Sequence, residues 1–140
     1  MTVSLAEWIK LRDLSRSELE ARGAEVEDGL GYGQQKGLTR LRVPHLFPGY
    51  FYFDGGRLVL MYVNLRGEGT SAEELRRQLG EPEAALRSRS GKRFMQYVYP
   101  DLGVAFAADR EAVSFLEIFP PTSLDEYKAT LYTEPPAFVR

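Results

Sequence analysis

The stretch of this chain most suggestive of chemistry is residues 29–37, GLGYGQQKG, where four glycines in nine residues stand beside Lys36. Unsubstituted backbone lets several amides converge on one anion, so this composition could cradle a phosphate. A phosphate loop, however, needs a strand running into the glycines and a helix opening after them. The flanking pattern here is the reverse, a helix before and a strand after, and the spacing fits neither common nucleotide fingerprint. The segment is therefore expected to be a connector.

Three other groups could carry chemistry. His45 is the only histidine, set in VPHLFPG, and could act alone as a general base; a pocket lined by Arg40, Arg42 and His45 would suit a small molecule. With no cysteine and no second histidine, neither a zinc site nor a nucleophile-histidine pair can be assembled around it. Glu25, Glu27 and Asp28 could offer oxygen ligands to a hard cation, but they lack the spacing and tight turn of a metal loop and read as a solvated helix end. Arg87, Arg89, Lys92 and Arg93, followed by Phe94, Tyr97 and Tyr99, combine cations with rings as single-stranded nucleic-acid binders do. Glu81, Glu83, Asp101 and Asp109 lie close by, which favours a solvated loop or the charged rim of a protein contact. No catalytic residue, metal or cofactor is assigned.

Composition sets the frame for these groups. The 140 residues are 44% hydrophobic and 27% charged with a net charge of −2, which suits one soluble domain and gives no electrostatic case for wholesale binding to nucleic acid or an anionic membrane. Charges at Glu7, Lys10, Arg12 and Asp13 interrupt any signal-peptide core, and no later run approaches the ~20 apolar residues of a membrane span. The expected location is the cytoplasm.

The elements that must position the candidate residues announce themselves at helix starts. Ser-x-x-Glu, a capping pattern, occurs at Ser4/Glu7, Ser15/Glu18, Ser71/Glu74 and Ser123/Glu126. It predicts helices near 5–13, 19–22 and 124–131 and one after Ser71 that carries Leu75 and Leu79 into the stop at Gly80 and Pro82, with a further helical turn over 84–87. Between them, residues 38–43, 50–53, 58–64, 94–99, 103–107 and 112–119 read as six strands, with Asp54-Gly55-Gly56 as a hairpin turn. Their short connections make neighbouring strands antiparallel. Laid over one another, the halves align Ser15 with Ser71, Leu19 with Leu75, Gly49 with Gly103 and Asp54 with Asp109, so the expected fold is α+β. Two tandem helix-then-three-strand units, about 1–66 and 67–121, form one sheet with helices on one face. A C-terminal helix and tail, 122–140, is expected on the helical side, completing a single domain over 1–140.

Leu79-Gly80-Glu81-Pro82 after a capped helix, then YVYPDLGVAF and the closing strand AVSFLEIFPP, make the chain resemble the β-lactamase-inhibitor-protein-like fold and the related SmpA/BamE-type repeat. In that family a concave sheet surface binds a protein partner, and the turn between the second and third strands of the first unit projects towards it. The resemblance therefore implies a role for Asp54 and its turn, with Tyr50, Tyr52 and Tyr62. Those relatives are exported, some through a lipid-bearing cysteine, which this chain lacks.

Strand alternation leads to the same surface by another route. In YFYF, Phe51 and Phe53 suit the helix-covered face, while Tyr50 and Tyr52, with an apolar body and a polar tip, suit an interface. Tyr62, Tyr97 and Tyr99 are expected to join them; the alternative is that these tyrosines edge the core with their hydroxyls in solvent. The expected function is non-catalytic binding of another protein, as an inhibitor, immunity factor or assembly adaptor would bind. Two alternatives stand behind it: a small-molecule site or enzyme near His45, and single-stranded nucleic-acid binding through the basic run.

Overall fold

A computed structural model describes residues 5–135. Helix α1 (Leu5–Lys10) runs into a 3-10 turn (Leu11–Asp13) and is followed by α2 (Arg16–Ala21). Strands β1 (Glu25–Tyr32), β2 (Gln35–Arg42), β3 (Gly49–Asp54) and β4 (Arg57–Asn64) form one meander. After α3 (Ala72–Leu79), strands β5 (Ala84–Arg87), β6 (Met95–Tyr99), β7 (Val104–Ala108) and β8 (Val113–Ile118) form a second, and α4 (Leu124–Thr130) closes the described chain. The eight strands make one antiparallel sheet in the order β1-β2-β3-β4-β8-β7-β6-β5, the last strand of each meander meeting the other at the centre.

Three of the expected caps form. Ser15 Oγ accepts from the Glu18 amide at 3.1 Å while Glu18 Oε1 accepts from the Ser15 amide at 2.8 Å, a complete capping box. Ser71 and Ser123 cap α3 and α4 through the Glu74 and Glu126 amides, at 3.3 and 3.1 Å. The Ser4 cap lies outside the described residues.

Two expectations of local structure are corrected. Residues 25–32 and 84–87 are strands, so each half contributes four strands where three were expected. Glu25, Glu27 and Asp28 do not end a helix: they lie on the edge strand β1, opposite Arg42, Arg40 and Thr39 of β2, at 3.0, 2.7 and 2.7 Å. These cross-strand bonds hold together a strand that local propensity alone would not favour. GLGYGQQKG is accordingly a β-hairpin, whose strands lead into and out of a turn at Gly33 and Gln34.

Alternation along the strands makes two cores. On one face Leu5, Trp8, Leu19 and Leu75 of α1–α3 pack on Leu41, Phe51, Phe53, Met61, Phe106, Leu116 and Ile118. On the other, Tyr127, Leu131 and Tyr132 from α4 and its end pack on Leu38, Tyr52, Leu60, Val98, Ala105 and Phe119. The C-terminal helix thus lies opposite the other three, correcting the expectation that it joins them. Pro120 and Pro121 explain the reversal in part, since neither can donate to a sheet ladder and the chain must leave β8 there. Leu124, Tyr127 and Leu131 then present the apolar stripe that the new face buries.

Candidate functional site

The structure divides the six tyrosine-face residues. Tyr50 and Tyr62 are cross-strand partners on the α4 face, and Tyr52 lies beside them. Tyr97 and Tyr99 belong to the opposite core, their rings 5.2 and 6.2 Å from Phe106. Tyr99 donates to the Gly80 carbonyl at 2.9 Å, and the Arg76 guanidinium lies 5.4 Å from the Tyr97 ring centre. Strand β6 therefore reaches the sheet with the parity opposite to that expected. Asp54 is exposed at its hairpin tip and pairs with Arg57 at 3.1 Å. Tyr52 is only 7% exposed, closed over by the β1–β2 hairpin, whose Tyr32 ring lies 5.1 Å away.

That hairpin does more than cover. Three strands separate β1 from β8 in the sheet, which in a flat sheet would leave them roughly 19 Å apart. Yet the Tyr32 hydroxyl donates to Glu117 Oε2 at 2.5 Å, so the sheet coils until the hairpin tip meets α4. There the Gln34 amide donates to the Thr130 carbonyl at 2.9 Å and Gln34 Nε2 to the Tyr132 carbonyl at 3.1 Å. Gly33, at φ +58°, is required at the contact because a Cβ would strike the Leu131 carbonyl.

Glu117 is the centre of this closure. Its carboxylate is fully buried and also accepts from the Tyr127 hydroxyl at 2.6 Å and from Gln96 Nε2 at 3.5 Å, while Arg89 lies 3.9 Å away. Arg89 donates to the Tyr32 hydroxyl at 2.8 Å, and Gln96 Nε2 also donates to the Tyr127 hydroxyl. Burial pushes the Glu117 carboxyl above the usual carboxylate range, against the charge of Arg89 and the hydrogen bonds from Tyr127 and Tyr32. Burial, and then the charge of Glu117, pushes both tyrosines well above the ordinary phenol value. A carboxylate without solvent access cannot exchange protons with a substrate, so the cluster clamps the hairpin and α4 onto β8. The sequence did carry a signal for it: Glu117 is a lone acid inside the apolar run Phe115-Leu116-Glu117-Ile118.

Beside the clamp the face remains open. Tyr62 is half-buried, 6.1 Å from the Tyr32 ring and 5.4 Å from Phe115. Its hydroxyl has no hydrogen-bond partner among the described residues, and burial raises its pKa against the charges of Arg89 and Arg66. Arg89 stacks 4.4 Å over Phe115 and 5.0 Å over Tyr32. Arg66 Nε donates to Ser114 Oγ at 3.3 Å, and the same oxygen lies 3.0 Å from Ser90 Oγ. Farther along, Arg40 sits 4.2 Å over the half-buried Tyr50 ring.

The basic run does not make one cationic track. Arg89 turns inward to Glu117, whereas Arg87 meets Glu134 at 3.6 Å and the Pro135 carbonyl at 3.2 Å. Tyr97 and Tyr99, the rings expected to accompany the run, lie on the other face. His45 is exposed with a left-handed φ of +68°, and the nearby depression is lined by Glu25, Val26, Glu27, Arg40, Arg42 and Tyr50 without it. Both arginines there are paired with the acids of β1. Among the described residues no three or more histidines, cysteines or acids cluster closely enough to hold a metal, and no helix is long and apolar enough to cross a membrane.

Fold and face together define an α+β protein built on a single eight-stranded antiparallel sheet, with a tyrosine-arginine surface beside a buried carboxylate clamp. No family model, curated protein or solved structure matches the chain.

Proposed function

We propose that this chain is a non-catalytic protein-binding module, acting as an inhibitor, immunity factor or assembly adaptor, and that it meets its partner with the part of the α4 face left uncovered by α4. The observation that carries this reading is Tyr62, a half-buried ring among Phe115, Arg66 and Arg89 whose hydroxyl has no partner among the described residues. Tyrosine and arginine dominate the energetics of protein interfaces because each offers a large apolar or planar body with a polar end. Tyr50 under Arg40 extends the surface, and Asp54 stands at the end of the same hairpin.

The tandem origin of the two halves and their likeness to the β-lactamase-inhibitor-protein fold belong to the same proposal. They are supported by a serine-capped helix before each meander and by the meeting of the two meanders through their last strands. The test begins with a partner isolated on the wild-type protein and identified. Replacing Tyr50 and Tyr62 together by alanine is expected to weaken its binding at least roughly tenfold, as loss of interface anchors does. Circular dichroism would show that the double variant still folds. Undiminished binding of the same partner by a folded variant would reject this surface.

A further inference from the structure

From the grouping of Arg66, Arg89, Ser90, Ser114 and Tyr62 we infer a carboxylate-binding site, which takes an acidic side chain from an acidic segment of the partner protein. The inference rests on the protein-binding reading above and names the chemistry of that partner.

The groups converge from three separate places in the chain. Arg66 follows β4, Arg89 and Ser90 lie in the loop after β5, and Ser114 belongs to β8. Ser114 Oγ joins them, 3.3 Å from Arg66 Nε and 3.0 Å from Ser90 Oγ. Arg66 makes no ion pair among the described residues, so the rest of its guanidinium fork is available to an incoming anion. The one acid near Arg89 is Glu117, 3.9 Å away and buried beneath it, where two tyrosine hydroxyls also engage it. Phe115 and Tyr32 hold the Arg89 guanidinium flat, with its side chain 30% exposed. Arg89 is directed to Glu117 and Tyr32 beneath, so the group open to an incoming anion is the exposed Arg66 guanidinium, anchored on the Ser114–Ser90 hydroxyl pair. Near it are the positive charge of Arg89 and the Tyr62 hydroxyl, which has no partner among the described residues. Planar guanidinium groups favour a planar carboxylate, which can accept two parallel N–H bonds. A nucleic-acid backbone would need a continued row of free cations, and Arg40, Arg87 and Arg89 are paired with Glu27, Glu134 and Glu117.

The test is a titration of the isotopically labelled full chain with a synthetic tetraglutamate peptide, followed by amide and arginine side-chain resonances. Parallel titrations use inorganic phosphate and an oligothymidine. Shifts centred on Tyr62, Ser90, Ser114 and the Arg66 side chain are expected with the peptide. Arg66→Ala should weaken binding roughly tenfold, in line with loss of one charge-assisted pair, and Arg66→Glu should abolish it. Arg66 is exposed, so these variants are expected to stay folded, as thermal melting would verify. Unchanged peptide affinity in Arg66→Glu, or a footprint elsewhere, would overturn the inference. Equal shifts with phosphate alone would make this a site for free anions, and tighter binding of the oligothymidine a nucleic-acid site; either outcome overturns it too. If Arg66→Glu leaves the native partner bound while the Tyr50/Tyr62 double variant loses it, the carboxylate site fails and the protein-binding surface stands. If the double variant keeps the partner, the protein-binding surface itself fails, whatever the peptide does.

Discussion

The face covered by α1–α3 and the face covered by α4 bury comparable aromatic and aliphatic side chains, but only the second encloses a charge. Phe51, Phe53, Phe106 and Leu116 need nothing beyond apolar neighbours on the first. On the second, Glu117 is the one buried acidic residue among the described residues, and the two elements that close the face each send it a tyrosine hydroxyl. An apolar core accepts any cover of suitable shape. A buried carboxylate accepts only a cover that brings donors, since an unpartnered buried charge is strongly destabilising. The first face is held by area, and the second also by specific partners.

The largest loss is expected on the apolar side. Phe106 is fully buried against Tyr97 and Tyr99, and Phe106→Ala is expected to lower the unfolding free energy by roughly 4 kcal/mol in a urea titration. That loss should be insensitive to pH. The next effect belongs to the clamp. Glu117→Ala leaves Tyr32, Tyr127, Gln96 and Arg89 without their shared acceptor and is expected to cost about 3 kcal/mol, whereas Glu117→Gln should cost less.

The clamp also has a pH signature. Because the folded Glu117 pKa is raised above its unfolded value of 4.5, the folded state holds more protons between the two values. Its contribution is fully present below pH 4.5 and is lost as pH rises through the folded pKa. Glu18 and Asp109, held low by hydrogen bonds to Ser15 and to the Ala112 amide respectively, act in the opposite sense, losing their contribution as pH falls. The difference in stability between wild type and Glu117→Gln, measured from pH 4 upward, isolates the clamp. It should shift against the wild type as pH rises, and a flat difference would contradict a buried carboxyl with a raised pKa. The smallest effect is Tyr62→Phe, which removes a hydroxyl with no partner among the described residues and should change stability by less than about 0.5 kcal/mol. A larger loss would show that the open part of the face is structural.

Much of the architecture was legible because its causes are local. Ser15, Ser71 and Ser123 cap helices through amides three residues away, and Asp54-Gly55-Gly56 turns a hairpin because Gly55 adopts φ +62°. The opposite parity of Phe51/Phe53 and Tyr50/Tyr52 followed from strand geometry alone. Strand β1 is not predicted from EVEDGLG, which has poor strand propensity; it is held by arginines and a threonine on β2. The helix-forming residues AALR at 84–87 predict a helical turn, yet pairing with β6 extends them. Tyr50 and Tyr62 share the α4 face as strand alternation predicts, whereas nothing short-range connects Arg66, Ser90 and Ser114, which lie far apart in the chain and meet only in the fold.

Helix starts, hairpin turns and the side chains that share a strand face are set locally by the sequence, since each depends on hydrogen bonds and sterics within a few residues. Only the tertiary structure decided that α4 crosses to the opposite face, that Tyr97 and Tyr99 turn away from Tyr62, and that Tyr32 closes on Glu117. Those outcomes depend on the coiling of an eight-stranded sheet and on a buried carboxylate that must find its donors wherever the fold can bring them.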